Sequence, residues 1–151
     1  MAQPTNSEVV DVLNDLIENA KDGQYGFLKC AERVKSLQLR ETMAKRAAGC
    51  EQAVTELESL VVQYGGKPAE HGTVAGALHR GWVTVKDVLT MDSDHAVLEE
   101  CERGEDTALA RYRSALKADL PADVRAVIMR QMAGTQANHD QVKMLRDTTH
   151  T

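Results

Sequence analysis

Aromatic residues make up only 3% of this 151-residue chain, and there are just three prolines and three cysteines. With so few prolines, long helices can run without interruption, because proline is the residue that a helix interior tolerates least. Cys30, Cys50 and Cys101 are odd in number, far apart and free of any C-x-x-C spacing, which argues against a disulfide framework or a structural zinc cluster. They read as buried free thiols. No basic tract with interleaved aromatics occurs, and 18 Lys plus Arg against 23 Asp plus Glu leave a net charge of -5, so nucleic acid is not an expected partner. No apolar run approaches the roughly 20 residues of a membrane helix, so no membrane association is expected. The start, Met1 to Asn6, lacks the basic and apolar parts of a secretory signal, so the expected location is cytoplasmic. Period-two alternation is missing too, which disfavours a sheet.

What the chain does contain is helical periodicity. A single domain over residues 1–151 is expected, with a first hairpin of helices at 7–34 and 36–64, a crossover helix at 73–90 and a second hairpin at 94–118 and 121–147. Ser7 is positioned to cap a stripe of Val9, Leu13, Leu16, Ile17, Ala20, Phe27, Leu28, Ala31 and Val34. Ser36 opens the second helix, whose inner side carries Met43, Ala47, Cys50, Val54, Leu57 and Val61. Gly65-Gly66-Lys67-Pro68 ends it. Thr73 starts the crossover, where Val74, Leu78, Trp82, Val85 and Leu89 share a face. Asp92, Ser93 and Asp94 offer caps for the next helix, striped by Leu98, Cys101, Ala108, Tyr112 and Ala115. Pro121 fits the start of the last helix, which turns Val124, Ile128, Met132, Thr135, Val142 and Leu145 inward. Two hairpins joined by a long connection predict an all-α, ferritin-like four-helix bundle.

The hairpins also resemble each other. An offset of 85 pairs Arg40 with Arg125, Ala48-Gly49 with Ala133-Gly134, and Leu60 with Leu145. An offset of 81 pairs Glu18 with Glu99, Gly23 with Gly104, and Leu28 with Leu109. Glycine inside a helix costs about 0.5–1 kcal/mol relative to alanine. Glycines near the middle of all four long helices therefore suggest close helix approach, or a bulge beside a functional layer.

Chemistry in this bundle would centre on the same level. A di-iron bundle draws one carboxylate from each of two helices and Glu-x-x-His from each of the other two. Here the second helix offers Glu51 but Val54, and the last offers Gln136 but His139. Glu105 interrupts the apolar stripe between Cys101 and Ala108, and a buried carboxylate needs a cation or hydrogen-bond donors. Glu18, Glu51, Glu105 and His139 are the candidate metal ligands, with iron, manganese or zinc as the ions. His71, His79, His95 and His150 are read as solvated or locally hydrogen-bonded. No serine elbow, dinucleotide turn or P-loop points to another reaction class.

Several segments carry a family resemblance: Val12 to Glu18, Lys21 to Phe27, Gly76 to Trp82, Cys101 to Asp106, Asp119 to Val124, and Asn138 to Asp140. Through them the chain resembles the uncharacterised bacterial ferritin-like four-helix-bundle proteins that carry a domain of unknown function. The resemblance implies the fold and a bacterial origin, but no substrate or reaction. The resulting expectation is a noncatalytic bundle acting through self-association, as a homo-oligomer, or through a protein partner. A divergent transition-metal-binding protein is the competing reading.

Overall fold

The computed structural model describes residues 5–70 and 93–149. Among them lie four α-helices: α1 (Asn6–Arg33), α2 (Leu37–Gln63), α3 (Asp94–Leu116) and α4 (Ala122–Thr148). No strand occurs among the described residues. The expected crossover helix, with His79 and Trp82, falls outside them, as do His71 in the connector before it and His150. No described helix is long and apolar enough to cross a membrane.

Each helix start follows from a local choice of cap. Thr5 caps α1, accepting from the Glu8 backbone N–H at 3.1 Å, so the helix begins ahead of the expected Ser7. Ser36 and Ser93 accept from Leu39 N and Ala96 N at 3.3 and 3.1 Å, as their sequence positions suggest. With Ser93 as the cap, Asp94 is left to take Lys35 N at 2.7 Å and Ser36 N at 3.1 Å, tying the turn of the first hairpin to the start of α3. At the end of α2, Gly65 adopts φ 78°, Gly66 N donates to Val61 O at 2.9 Å and Gly65 N to Val62 O at 3.0 Å. This paired pattern closes a helix through a left-handed residue, a conformation that glycine reaches without steric cost. The chain then returns along α1, where Asn14 holds Lys67 O and Ala69 N at 3.1 and 2.8 Å.

The internal likeness of the hairpins reappears as equivalent work. Arg40, near the start of α2, donates to Val34 O at 3.3 Å. Its counterpart Arg125, near the start of α4, donates to Leu116 O and Ala118 O at 3.2 and 2.8 Å. Each arginine thus satisfies carbonyls at the end of the helix before it, where four such groups lack intrahelical partners.

The core divides into two apolar clusters. One gathers Val9, Leu13, Leu16, Ile17, Leu57, Leu60, Val61, Tyr112, Val124 and Ile128. The other gathers Phe27, Cys30, Val34, Met43, Cys50, Val97, Leu98, Cys101 and Val142. α1 packs closely on both α2 and α3, and α3 on α4, whereas α2 and α4 barely meet. The weak fourth side opens the bundle at the level between the two clusters.

Candidate functional site

At that level the four helices surround a half-open cavity of about 430 Å³. One glycine from each helix lines it: Gly23, Gly49, Gly104 and Gly134. The two offset pairs seen in the sequence therefore meet in one place. Close packing does not account for all of them. A Cβ at Gly134 would meet nothing within 4 Å, and one at Gly49 would meet the end of the flexible Arg46 side chain at 3.1 Å. Gly23 is tighter, with Cys50 Sγ at 3.0 Å. Gly134→Ala is accordingly expected to raise stability by about 0.5–1 kcal/mol, read from the denaturant midpoint at unchanged m-value. A loss of stability would show that the helix needs glycine there.

The inner wall is polar, and its centre is Glu105, only 1% exposed. The Arg46 guanidinium reaches from α2 across to α3 and α4. Its Nε donates to Glu105 Oε1 at 2.9 Å and its Nη2 to Thr135 Oγ1 at 3.2 Å. With its carboxamide oxygen turned toward Arg46, Asn138 also accepts from Nε and, at 3.3 Å, from Nη1. The guanidinium lies 5.7 Å from the centre of the Phe27 ring. Tyr112 donates to Gln131 Oε1 at 3.0 Å, and Gln131 donates to Glu56 Oε1 at 2.8 Å.

Burial pushes the Glu105 carboxyl above its ordinary value, and Arg46 opposite it only partly offsets this. Burial likewise pushes the Cys50 thiol up to about 11, and the Cys30 thiol together with burial lifts Cys101 well above the usual range. All three cysteines are buried and free. At neutral pH the Cys50 and Cys101 thiols are protonated, which suits packing and disfavours nucleophilic work.

The sequence-derived metal candidates separate in space. Glu105 is held by Arg46, so a guanidinium takes the place beside it that a metal ion would need. Glu51 is exposed on α2, and Glu18 is half-buried on α1. His139 finds different acids. Its Nε2 lies 2.7 Å from Asp106 Oδ1 and 3.8 Å from Glu102 Oε1, both on α3. Among the described residues, the donor group able to surround one ion is Glu102, Asp106 and His139, whose ligand atoms all lie within 4.8 Å of one another.

His139 is 14% exposed and Glu102 13%, while Asp106 is exposed at the rim. The other ring nitrogen, Nδ1, lies 3.3 Å from Asp140 Oδ1, and Gln136 donates to that same oxygen at 2.9 Å. Gln136, the residue that breaks the Glu-x-x-His pattern, thus helps to orient the histidine. The second oxygen of Glu102 is taken by Arg146. The sequence reading missed Glu102 and Asp106; their i, i+4 spacing puts both on one helix face, but their meeting with His139 depends on the rotation of α4 against α3.

The family described as a domain of unknown function (DUF2383) matches residues 8–118, most of the chain. No curated protein matches. Among solved structures, the chain is similar to a two-domain protein from Anabaena variabilis ATCC 29413 containing DJ-1/ThiJ/PfpI-like and ferritin-like domains. The TM-score is 0.78 at 11% identity, and the match covers 97% of this chain but only 38% of that one. It is also similar to a DUF305 fragment from Deinococcus radiodurans, with a TM-score of 0.76 at 13% identity over 92% of this chain and 95% of that one. Likeness at such low identity speaks for the fold alone. Four helices in two hairpins and the span of the family match agree: the chain belongs to the DUF2383 family and has a ferritin-like fold.

Proposed function

We propose that this bundle is a noncatalytic binding protein that holds a single divalent transition-metal ion on Glu102, Asp106 and His139. The carrying observation is the convergence of one imidazole and two carboxylates within 4.8 Å. One nitrogen and two oxygen donors suit zinc, manganese or iron(II). The Asp140 carboxylate on Nδ1 supports the reading, since a carboxylate on the second ring nitrogen orients a histidine ligand. His139 Nε2 lies 2.7 Å from Asp106 Oδ1, so a bound cation would come between these two groups. Once bound, the ion would supply positive charge and an open coordination position. A paired-iron centre is not proposed, because Arg46 already neutralises Glu105.

Titration calorimetry with zinc, manganese and iron(II), joined to anomalous scattering from soaked crystals, tests this. One ion per chain at His139 is expected, with affinity lowered at least 100-fold by His139→Ala and by about 10–100-fold by Asp140→Asn. Arg146→Met is expected to tighten binding, because it removes a positive charge and frees the second Glu102 oxygen. Absence of ordered metal at His139, or equal binding by His139→Ala, would overturn the reading. Association with a second copy or a protein partner is a separate question, answered by solution mass over a concentration series.

A further inference from the structure

The cavity between α2 and α4 is a second site, independent of the metal reading. Its volume of about 430 Å³ lies within the range of small-molecule pockets. Gly49 and Gly134 keep it open, although a Cβ at either would meet at most the tip of Arg46. Phe27, Ala53 and Ala108 form the apolar part of the wall, beside a polar part that holds the Arg46 guanidinium, its partner Glu105, and the Glu56–Arg130 pair.

A guanidinium has five N–H groups. Nε is shared by Glu105 and Asn138, Nη2 donates to Thr135, and Nη1 donates to Asn138. By that count, one N–H on each Nη remains for a further acceptor. Two parallel N–H groups match the two oxygens of a carboxylate. Arg46 is also reachable from both sides, since it lines a second pocket with Lys45, Thr42 and Gln141. At the mouth of the first, Arg130 is paired with Glu56, so Arg46 is the group left to meet an anion.

We infer that the cavity binds a small monocarboxylate with an apolar body, its carboxylate on the Nη edge of Arg46 and its body against Phe27, Ala53 and Ala108. The Glu105 carboxylate fixes the guanidinium plane, and Thr135 and Asn138 hold it from α4. The glycines leave the volume that the apolar body fills.

The test uses benzoate and butyrate as probes, with benzamide and butyramide as uncharged counterparts. Binding is followed by heteronuclear NMR on the full chain freed of metal with chelator, which separates this site from the one at His139. The carboxylates are expected to bind at least tenfold more tightly than their amides, with shifts centred on Gly49, Gly134 and Arg46. Gly134→Leu, which fills the space, is expected to abolish binding while the fold persists. Arg46→Lys, which keeps the charge but loses the planar edge, is expected to weaken binding at least tenfold. Equal binding of acid and amide, binding unchanged in Gly134→Leu, or no carboxylate binding at about 10 mM would each overturn the inference.

Discussion

Replacing Arg46 with methionine is expected to destabilise the bundle by about 3–5 kcal/mol at neutral pH, whereas replacing Arg46 and Glu105 together by methionine is expected to be neutral or stabilising by up to about 4 kcal/mol. The asymmetry follows from burial. Glu105 is 1% exposed and the Arg46 side chain 17%, so the carboxylate carries most of the desolvation. Removing the guanidinium leaves that carboxylate without its counter-ion, while removing both takes the buried charge pair out together, with Thr135 and Asn138 left as the neutral polar groups beside it. Urea unfolding of the two single variants and the double variant measures the cycle. A loss below about 0.5 kcal/mol for Arg46→Met would mean that Glu105 is already neutral in the folded protein.

The same group shapes the response to pH. Burial raises the Glu105 pKa above 4.5 in the folded state, so between that value and the folded pKa the native chain binds more protons than the unfolded one. Its contribution is therefore fully present below the unfolded pKa and is lost as pH rises through the folded pKa. In Glu105→Gln this part of the slope is expected to vanish.

Truncating Phe27 to alanine is expected to cost about 3–5 kcal/mol, seen as a fall in Tm on the order of 10 °C. Phe27 is 1% exposed and belongs to the cluster that closes one end of the cavity. Its loss leaves a void in that cluster and also removes the ring beside the Arg46 guanidinium. A double-mutant cycle between Phe27 and Arg46 should return a coupling of about 0.5–2 kcal/mol for the cation over the ring. Additive effects would assign the whole cost to packing.

How much of this was legible beforehand varies by residue. Ser36 and Ser93 as caps, Gly65 as the stop of α2 and most of the inward stripes could be read from the chain, because each depends on neighbours within a turn or two; Leu28, placed on the inward stripe of α1, is instead exposed, since it follows Phe27 by one position and so points about 100° away from it. Ser7 was displaced by Thr5, since several polar residues near a helix start can serve as its cap and their competition is decided locally. Glu105 was marked as a buried acid in need of a partner, yet Arg46 was not identified. Nothing along α2 distinguishes an arginine that crosses a bundle from one that points to water. The mid-helix glycines were noticed, but close packing was one expected reason. The structure instead opens a cavity at Gly49 and Gly134.

The scarcity of proline and aromatics and the helical spacing of aliphatic residues determined, by themselves, that this protein is a bundle of long helices around an aliphatic core. Periodicity is a property of consecutive residues, so one chain suffices to show it. Which polar groups meet was decided only by the tertiary structure. Arg46 and Glu105 are 59 positions apart, and His139 joins Glu102 and Asp106 through the packing of α4 on α3. A rotation of one helix by a single residue turns a side chain through about 100°, enough to move it from the cavity to solvent. That sensitivity is why sequence marked the helices and the level of the site, while packing chose its members.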